Sequence, residues 1–426
     1  MESFVIEGGR PLSGTVRAAG NKNAALPILA GSILASDAVQ LSNVPRIRDV
    51  ETMVELLSDL GADAAWTGPN EVRVDPAGVE KSDLDPVLSR EIRASFLLAG
   101  PLLARFGRVT VPPPGGDVIG RRRLDTHVHA FAALGADFEV DGVYDISADR
   151  LVGTRLYLDE ASVMGTENAI MAAVLAEGKT VLGHAACEPH IQDLCRFLVS
   201  LGAGIEGIGS NVLHIEGVDR LAGGEFRIGP DHIEVASFVG LAAATGGEVV
   251  VEDVSPDDLI SIVPAFRKLG IEMEVSDSSV RLPPGQDLHI EDDLGGQIPK
   301  IESGIWPAFP ADLTSIAVTV ATQAQGTILI FEKMFESRLF FVDKLVSMGA
   351  RIVLCDPHRV VVTGPATLYG ERLESPDIRA GMAMVIAALC AEGTSTIGNI
   401  RQIDRGYERI DERLRALGAS IARAEL

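Results

Sequence analysis

Basic side chains recur at two kinds of position in a chain that is otherwise strongly acidic. The chain has 426 residues and a formal net charge of −23. One group of basic residues stands where apolar, alanine-rich stretches begin, and the other stands in polar loops. Arginine binds carboxylate and phosphate groups through two parallel hydrogen bonds, so this recurrence predicts a site for an anionic ligand. The residues are Lys22, Arg93 and Arg379 in the first group and Arg121, Arg122, Arg123, Arg338 and Arg405 in the second.

Carboxylates accompany these basic residues and are the candidates for acid–base chemistry. Asp117 lies in a glycine-rich loop beside the arginine run, and Asp312 precedes an apolar stretch. Asp312 and Asp377 are equally suited to cap a helix. Glu167 is suited to offset a helix dipole in a first turn. Each residue alone has an ordinary structural interpretation, so the functional inference depends on their joint pattern.

The elements that must position these residues follow an internal repeat. Leu-Gly-Ala or a close variant recurs six times, about every 70 residues, and each copy is followed by the alternation typical of a strand. A glycine after leucine suits the end of a helix, because glycine enters the left-handed conformation without steric cost. Six copies of one supersecondary unit are therefore predicted. The glycines are Gly61, Gly135, Gly202, Gly270, Gly349 and Gly418.

A second set of predicted helices is apolar almost all round and rich in alanine and glycine. Helices without a polar face belong in an interior, and small residues let them pack closely. If the helices point the same way, as a repeat implies, their N-terminal N–H groups converge and favour anions. The segments are 23–35, 94–103, 167–176, 235–244, 313–324 and 378–391.

Two domains of three repeats each are predicted, because three repeats precede Gly229 and three follow it. We expect one domain over residues 22–231 and the other over residues 1–21 and 232–426. The anion site is expected in the cleft between the two domains. The glycine-rich loop 114–123, which carries Asp117, is the expected catalytic loop and lid.

Composition narrows the class of protein. No apolar run approaches the roughly 18 residues that span a bilayer, so a soluble protein is expected. The four cysteines have no CxxC spacing and no signal-peptide pattern precedes them, which predicts buried thiols and a cytoplasmic location. The acidic charge argues against binding to nucleic acid or to a membrane. His127 and His129 fit no metal-binding pattern, so no metal site is predicted.

Four motifs of the chain are Gly20-Asn21-Lys22-Asn23-Ala24-Ala25-Leu26-Pro27, Pro114-Gly115-Gly116-Asp117-Val118-Ile119-Gly120, Phe309-Pro310-Ala311-Asp312 and Ile403-Asp404-Arg405-Gly406-Tyr407-Glu408-Arg409. Together they resemble those of the UDP-N-acetylglucosamine 1-carboxyvinyltransferases, a family of enolpyruvyl transferases. The resemblance runs from Phe4 to about Ala422. It implies a two-domain inside-out α/β barrel like that of EPSP synthase, with six βαβαββ-type units around buried helices.

The resemblance also implies a reaction. The family transfers the enolpyruvyl group of phosphoenolpyruvate to the 3′-hydroxyl of UDP-N-acetylglucosamine and releases phosphate, without metal or organic cofactor. The reaction proceeds by addition and then elimination through a tetrahedral ketal. It is the first committed step of peptidoglycan precursor synthesis, which connects the family to cell-wall biogenesis, cell shape and cell division.

By motif match, the resemblance assigns roles to individual residues. Asp312 resembles the family's base for the sugar hydroxyl, and Asn23 is expected to hold the sugar. The family's phosphate-side clamp is matched by Lys22, Arg122 and Arg405. The rest of its phosphoenolpyruvate site is matched by Arg93, Arg338 and Arg379. The stretches that match the uridine nucleotide site contain Arg123, Leu124, Asp125, Ser162, Val163, Gly165, Met334 and Phe335.

The chain departs from the common family pattern at Asp117. Many members carry a cysteine there that acts as a general acid and is alkylated by fosfomycin. A carboxylic acid must carry a proton in the substrate-bound site to take over that role. Carboxylates react poorly with the epoxide of the drug, so intrinsic fosfomycin resistance is expected.

Other departures leave the acceptor open. Arg123, Met164 and Ala311 replace common residues near the expected nucleotide pocket, and Cys187 replaces a common arginine. The alternatives are enolpyruvyl transfer to another acceptor, as in EPSP synthase, or a noncatalytic paralogue that binds a sugar nucleotide. RNA 3′-phosphate cyclase shares related units but needs a nucleophilic histidine and has no use for this arginine set.

Overall fold

A computed structural model describes residues 2–117, 119–120 and 122–425. The chain divides into two units. The N-terminal unit comprises Gly20–Gly116 and Arg122–Gly229, and the C-terminal unit comprises Met1–Ala19, Asp117–Arg121 and Pro230–Leu426. The chain therefore passes from one unit to the other four times, after Ala19, Gly116, Arg121 and Gly229.

Among the described residues, each unit contains three helices that are buried on nearly every side, here called the core helices. Their residues are mostly alanine, leucine, isoleucine and valine, so no side of the helix gains from contact with water. In the N-terminal unit they are Lys22–Gly31, Ala99–Phe106 and Val163–Ala173. In the C-terminal unit they are His232–Ala244, Thr314–Ala321 and Ile378–Cys390.

Several core helices include or adjoin a tighter 3₁₀ turn. Ser32–Leu34 follows the first core helix, Arg93–Leu98 precedes the second, and Ala311–Leu313 precedes the fifth. In the second, Pro101 has no N–H and cannot complete an α-helical bond to the carbonyl of Leu97. Residues 94–103 were predicted as one helix, and this missing donor explains why the segment is split.

Six amphipathic helices in the described residues end at the repeated glycines, as predicted. Gly202 has φ +109° and Gly418 has φ +98°, a conformation that other residues rarely adopt. A strand follows each glycine within a few residues. The helices are Arg48–Asp59, Asp125–Ala133, Pro189–Ser200, Ile262–Arg267, Val342–Ser347 and Ile410–Ala416.

The described residues form three sheets in each unit. Most sheets combine one parallel pair with an antiparallel hairpin. In strand order, the N-terminal sheets are Gly204–Glu206, Val212–Glu216, Lys179–Gly183 and Arg155–Tyr157; Gly224–Arg227, Val39–Ser42, Glu71–Asp75 and Asp63–Gly68; and Arg108–Val111, Tyr144–Ser147 and Asp137–Val140. The C-terminal sheets are Arg372–Glu374, Thr394–Gly398, Glu2–Glu7 and Ser420–Glu425; Glu274–Val275, Ser279–Leu282, Glu248–Glu252 and Ser13–Arg17; and Lys300–Glu302, Gly326–Phe331, Arg359–Gly364 and Arg351–Asp356.

The first strand of the chain lies in the middle of a C-terminal sheet. Glu2–Glu7 pairs antiparallel with Thr394–Gly398 on one side and with Ser420–Glu425 on the other. Phe4 and Ile6 of this strand are fully buried in the core of the C-terminal unit. The earliest and latest described segments of the chain are thereby joined in one sheet.

The cysteines depart in part from the prediction of buried thiols. All four lie in the described part of the chain as thiols outside any disulfide, and Cys187 and Cys195 are buried. Cys355 is exposed, because it lies on the outer face of the edge strand Arg351–Asp356, where side chains point to solvent. Among the described residues, every helix is too short or too polar to cross a membrane.

Candidate active site

Asp312 lies between two buried arginines in the C-terminal unit. Its Oδ1 accepts a hydrogen bond from Nη2 of Arg338 at 3.1 Å, and its Oδ2 accepts from Nε of Arg379 at 3.1 Å. The side chains of Arg338 and Arg379 are 5% and 6% exposed, whereas that of Asp312 is 26% exposed. The two arginines therefore fix a carboxylate that a ligand can still reach.

Arg379 is held by the start of a core helix. Asp377 caps that helix, because its carboxylate accepts from the backbone N–H groups of Arg379 and Ala380 at 2.8 and 2.9 Å. The Arg379 guanidinium lies 5.4 Å from the ring centroid of Tyr407, which is buried. Burial acts to lower the pKa of Arg379, but Asp312, Tyr407 and Asp231 together outweigh burial and raise that pKa above its ordinary value.

Each of these arginines keeps a buried donor that binds nothing in the described part of the chain. The donors are Nε of Arg338 and Nη1 of Arg379. Buried donors without a partner are rare in folded proteins, because they lose water without gaining a replacement bond. Two such donors beside one carboxylate are suited to receive the oxygens of an anion.

A second pair of charges in the C-terminal unit joins the predicted catalytic loop. Nη1 of Arg405 donates a hydrogen bond to Oδ1 of Asp117 and another, at 2.8 Å, to Oε1 of Gln402. The backbone N–H of Ser337 donates to the carbonyl of Ile119 at 3.2 Å, which ties the loop to the segment before Arg338. Val118 and Arg121 of the same loop lie outside the described residues.

The environment of Asp377 indicates that two charge pairs of the C-terminal unit, Asp312 with Arg338 and Asp117 with Arg405, lie near each other. Burial raises the pKa of the Asp377 carboxyl, and the charge of Asp117 raises it further, while Arg338 lowers it. Asp377 thus interacts with a member of each pair. Within this unit, hydrogen bonds join Asp312 to Arg338 and Arg379 and join Asp117 to Arg405, and both groups act on the charge of Asp377.

In the N-terminal unit, Lys22 begins a core helix that is capped by Asn21. The Asn21 side chain accepts from the backbone N–H groups of Asn23 and Ala24 at 2.9 and 3.2 Å. Nζ of Lys22 lies 2.8 Å from Oδ2 of Asp49, and both residues are buried. The sequence provides no sign of this pairing, because Asp49 stands in a helix first turn where acidic residues are common.

Arg93 supports the segment that was predicted to line the nucleotide. Its Nη2 donates to the carbonyl of Arg122 at 2.6 Å. Arg123 lies next along the chain and binds Asp125 at 3.0 Å and Asp159 at 3.6 Å. Leu124 then precedes the helix that begins at Asp125. The Arg93 side chain thus holds this segment by the backbone carbonyl of Arg122, a role that the sequence did not predict.

The two N-terminal stretches that were predicted to line the nucleotide lie together. Ser162 caps the helix that begins at Val163, and its Oγ accepts from the N–H of Gly165 at 3.2 Å. A Cβ atom at Gly165 would lie 2.9 Å from Cγ2 of Thr126, so only glycine allows this approach. Thr126 also donates to Asp159 at 2.8 Å. In the C-terminal unit, Met334 and Phe335 lie in the loop after the strand Gly326–Phe331.

Two structural interpretations from the sequence are corrected. Asp312 does not cap its helix, because both of its oxygens bind arginine. Glu167 does not offset a helix dipole in a first turn, since its helix begins four residues earlier at Val163. Burial, together with Glu188, raises the pKa of Glu167 well above its ordinary value. Nothing in the structure explains why Cys187 stands where arginine is common.

Comparisons with known proteins agree with the family resemblance of the four motifs. The family model of EPSP synthase (3-phosphoshikimate 1-carboxyvinyltransferase) matches residues 6–414. The chain is 56% identical over 420 residues to the UDP-N-acetylglucosamine 1-carboxyvinyltransferase of Bradyrhizobium diazoefficiens, covering 99% of this chain and 97% of that protein. It is 53% identical over 421 residues to the enzyme of the same name from Treponema denticola, covering 99% of each.

Solved structures agree on the fold. The enolpyruvyl transferase NikO from Streptomyces tendae matches with a TM-score of 0.88 and 24% identity over 99% of each chain. EPSP synthase from Acinetobacter baumannii matches with a TM-score of 0.76 and 17% identity over the full length of both chains. At these identities the likeness concerns the fold alone. The predicted α/β fold, an inside-out barrel of EPSP synthase type, is confirmed.

Proposed function

Because the chain belongs to the UDP-N-acetylglucosamine 1-carboxyvinyltransferases within the EPSP synthase family, we propose that it performs the reaction of that family. It transfers the enolpyruvyl group of phosphoenolpyruvate to the 3′-hydroxyl of UDP-N-acetylglucosamine and releases phosphate. The product is a precursor of peptidoglycan.

The observation that carries this proposal is the setting of Asp312. A carboxylate that is to accept a proton from a hydroxyl must be reachable and oriented. Asp312 is both, because Arg338 and Arg379 hold its two oxygens while a quarter of its side chain stays exposed. The unused donors of the same two arginines supply positive charge where an anionic substrate must bind.

The first step is an addition in which Asp312 acts as the base. Asp312 takes the proton from the 3′-hydroxyl, whose oxygen then forms a bond to C2 of phosphoenolpyruvate. The double bond supplies an electron pair to C3, which takes up a proton from an acid. The result is a tetrahedral ketal that still carries phosphate.

The second step is an elimination. The bond between C2 and the phosphate oxygen breaks, C3 loses a proton, and the double bond forms again. The overall change exchanges the phosphate on C2 for the sugar oxygen. Fixed cations stabilise the charge that develops on the phosphate, because preorganised groups need little rearrangement during the reaction.

The basic residues are proposed to bind phosphoenolpyruvate. Lys22, Arg122 and Arg405 bind the phosphate side, while Arg338 and Arg379 bind the remainder of the substrate. Arg93 positions the segment that contains Arg122, since its hydrogen bond goes to the Arg122 carbonyl. Lys22 shares its charge with Asp49, so phosphate binding adds a second anionic partner to this lysine.

Asp117 is proposed as the general acid in phosphate handling. Its contact with Arg405 supports a location beside the phosphate, since Arg405 is assigned to the phosphate. Because the arginine favours the carboxylate form, the role further requires that Asp117 takes up a proton when substrate binds. A carboxylic acid in place of a nucleophilic thiol leaves fosfomycin without its usual target. We therefore propose that the enzyme is resistant to this drug.

The sugar nucleotide is proposed to bind along the segments that contain Asn23, Arg123, Leu124, Asp125, Ser162, Val163, Gly165, Met334 and Phe335. The approach of Gly165 to Thr126 supports a shared surface for the two N-terminal segments. We further propose a cytoplasmic location, because thiols outside disulfides are typical of a reducing compartment. A role in cell shape and division follows from the proposed place in cell-wall synthesis.

A phosphate-release assay tests the proposed function. The purified chain is given phosphoenolpyruvate together with UDP-N-acetylglucosamine, related UDP-sugars or shikimate 3-phosphate, each in a separate reaction. The proposal expects release of one phosphate per enolpyruvyl product with UDP-N-acetylglucosamine. Release with another acceptor alone would establish a different transferase. Binding of the nucleotide without any release would establish a noncatalytic protein.

A further inference from the structure

Glu332 is a fully buried carboxylate whose two oxygens are both in use. Its side chain lies in the C-terminal unit, directly after the strand Gly326–Phe331, and is 0% exposed. Oε1 accepts hydrogen bonds from the backbone N–H groups of Met334 at 2.8 Å and Phe335 at 3.2 Å. Oε2 accepts from the hydroxyl of Thr314 at 2.7 Å. Nothing in the motifs of the chain singles this residue out.

The backbone of Glu332 is fixed as firmly as its side chain. Its N–H donates to the carbonyl of His358 at 2.7 Å. Its own carbonyl lies 2.7 Å from Nδ1 of His358, which therefore carries the proton. The next N–H, that of Lys333, donates to Oγ of Ser303 at 2.9 Å. The carboxylate thus projects from an anchored position and has little freedom to move.

The residue type matters at this position. Burying a carboxylate away from water is unfavourable unless hydrogen bonds replace the lost hydration. The three donors lie on two sides of the carboxyl group of Glu332, so each of its two oxygens must act as an acceptor. Only a carboxylate has two acceptor oxygens and no donor. Neither a glutamine, with one acceptor, nor an apolar side chain satisfies all three donors. The choice of glutamate therefore follows from the groups that it joins.

Of the groups that Glu332 joins, one lies close to Asp312 in the chain and another contacts Arg338. Thr314 begins the core helix that follows the turn Ala311–Leu313, which contains Asp312. On the other side, the N–H of Arg338 donates to the carbonyl of Phe335 at 3.4 Å. The Arg338 guanidinium also lies 5.0 Å from the ring centroid of Phe335. Glu332 is connected to Asp312 through Thr314, and to Arg338 through Phe335.

We infer that Glu332 is a positioning residue for the transfer, which fixes the turn of Asp312 against the loop of Met334 and Phe335. This inference rests on the proposed function, in which Asp312 is the base and the loop lines the nucleotide. A catalytic group displaced by about 1 Å can lose on the order of a hundredfold in rate. A single buried carboxylate that joins base and binding loop therefore affects both kcat and the KM for the acceptor.

Thr314→Val tests the connection to Asp312 without changing the size of the side chain. The matched control is Thr319→Val, which removes a buried hydroxyl from the same helix. The Thr319 hydroxyl donates only to the carbonyl of Ser315 one turn earlier, at 3.0 Å, among the bonds described. We expect Thr314→Val to lower kcat at least tenfold, with the KM for the acceptor within about twofold of the parent value. Thr319→Val is expected to keep both values.

Glu332→Ala and Glu332→Gln test both connections. Glu332→Ala is expected to lower kcat as far as Thr314→Val and to raise the KM for the acceptor about tenfold as well. Glu332→Gln keeps one acceptor for the loop and can donate to the Thr314 hydroxyl, so it is expected to restore the acceptor KM. Wild-type kinetics in Glu332→Ala would overturn the inference. If that variant does not fold, an equal kcat in Thr314→Val and Thr319→Val would overturn it.

A crystal structure of Thr314→Val provides a measurement that does not depend on turnover. The inference expects the contact between Oδ1 of Asp312 and Nη2 of Arg338, 3.1 Å in the parent, to lengthen or break. An unchanged contact would refute the positioning role even if the parent enzyme proved inactive. Phosphate release by the parent chain alone decides the proposed function, so the two failures are distinguishable.

Discussion

Arg379 binds a single oxygen of Asp312 through two nitrogens, with Nε at 3.1 Å and Nη2 at 3.0 Å from Oδ2. The other oxygen of Asp312 is bound by Arg338, so the carboxylate is oriented from both sides. Because both arginines are almost completely buried, neither can swing into solvent without opening the packing around it. The orientation of Asp312 is therefore a property of the fold before any substrate binds.

Asp312→Asn should abolish turnover much more than binding. An amide keeps the shape of the side chain but cannot accept the hydroxyl proton, so we expect kcat to fall by about 10²- to 10⁴-fold. The KM values should change far less. Steady-state phosphate release measures both. The control is Asp343→Asn, which changes an exposed carboxylate paired with Lys344. A kcat within about threefold of the parent value would remove Asp312 from its assigned role.

Arg405→Ala should weaken the use of phosphoenolpyruvate. The substitution removes a guanidinium that binds both Asp117 and Gln402. Hydrogen bonds to charged groups contribute enough that kcat/KM for phosphoenolpyruvate should fall by about ten- to a hundredfold. The kcat/KM of Arg405→Lys should lie between those of the parent and Arg405→Ala, since lysine keeps the charge but lacks the planar guanidinium group.

Arg409→Ala is the matched control for Arg405→Ala. Arg409 stands four residues further along the same motif, and its exposed side chain pairs with Glu412. Exposed ion pairs contribute little, so kinetics close to those of the parent are expected. Equal losses in the two variants would show that Arg405 acts through general stability rather than through the substrate.

Fosfomycin should leave the enzyme unmodified. We expect intact-mass spectrometry after incubation with the drug to show the parent mass, because Asp117 provides no thiolate to open the epoxide. Asp117→Cys should gain one adduct per chain. The exposed Cys355 provides an internal control for nonspecific alkylation. An adduct that peptide mapping places on Asp117 in the parent would contradict the proposed resistance.

Two buried histidines should make the fold less stable in mild acid. Burial, reinforced by Arg93, lowers the pKa of His127 to about 3, and burial with Arg379 lowers the pKa of His232 to about 4. The unfolded chain takes up a proton on each histidine near pH 6.5, but the folded chain does not. Stability is therefore lost as pH falls below 6.5, by about 2 kcal/mol for each histidine at pH 5.

His127→Gln isolates one of these contributions. Nδ1 of His127 accepts from Nδ2 of Asn168 at 2.9 Å, which requires the neutral ring. Urea unfolding at pH 7 and pH 5 should show a smaller loss of stability in the variant than in the parent, by about 2 kcal/mol. His129→Gln, two residues further along, alters an exposed histidine and should keep the parent's pH dependence. An identical pH dependence in His127→Gln and parent would contradict the expectation.

The repeat was the part of the fold most open to prediction. Glycine after leucine marks a helix end for a steric reason that does not depend on the rest of the chain. All six glycines accordingly have positive φ. Boundaries that depend on one side chain were missed. The helix of Glu167 begins at Val163 because Ser162 caps it, and that bond became visible only in three dimensions.

The site was predictable in its residue types and unpredictable in its partners. Arginines in an acidic chain pointed to an anion site, because their charge is chemically conspicuous. Asp49 and Glu332 gave no such signal. Their neighbours Lys22 and Thr314 lie 27 and 18 positions away, and their carboxylates resemble any other acidic residue in a helix or after a strand. Such pairings depend on side-chain packing between the elements of one repeat, which periodicity does not encode.

The place of Glu2–Glu7 in the middle of a sheet bears on how a new chain folds. A ribosome makes this strand long before its partners, Thr394–Gly398 and Ser420–Glu425. Phe4 and Ile6 therefore remain without the strands that pack beside them until those later segments have been made. The N-terminal unit emerges whole well before that moment. The sheet of the C-terminal unit is thus completed only after the N-terminal unit has been synthesised.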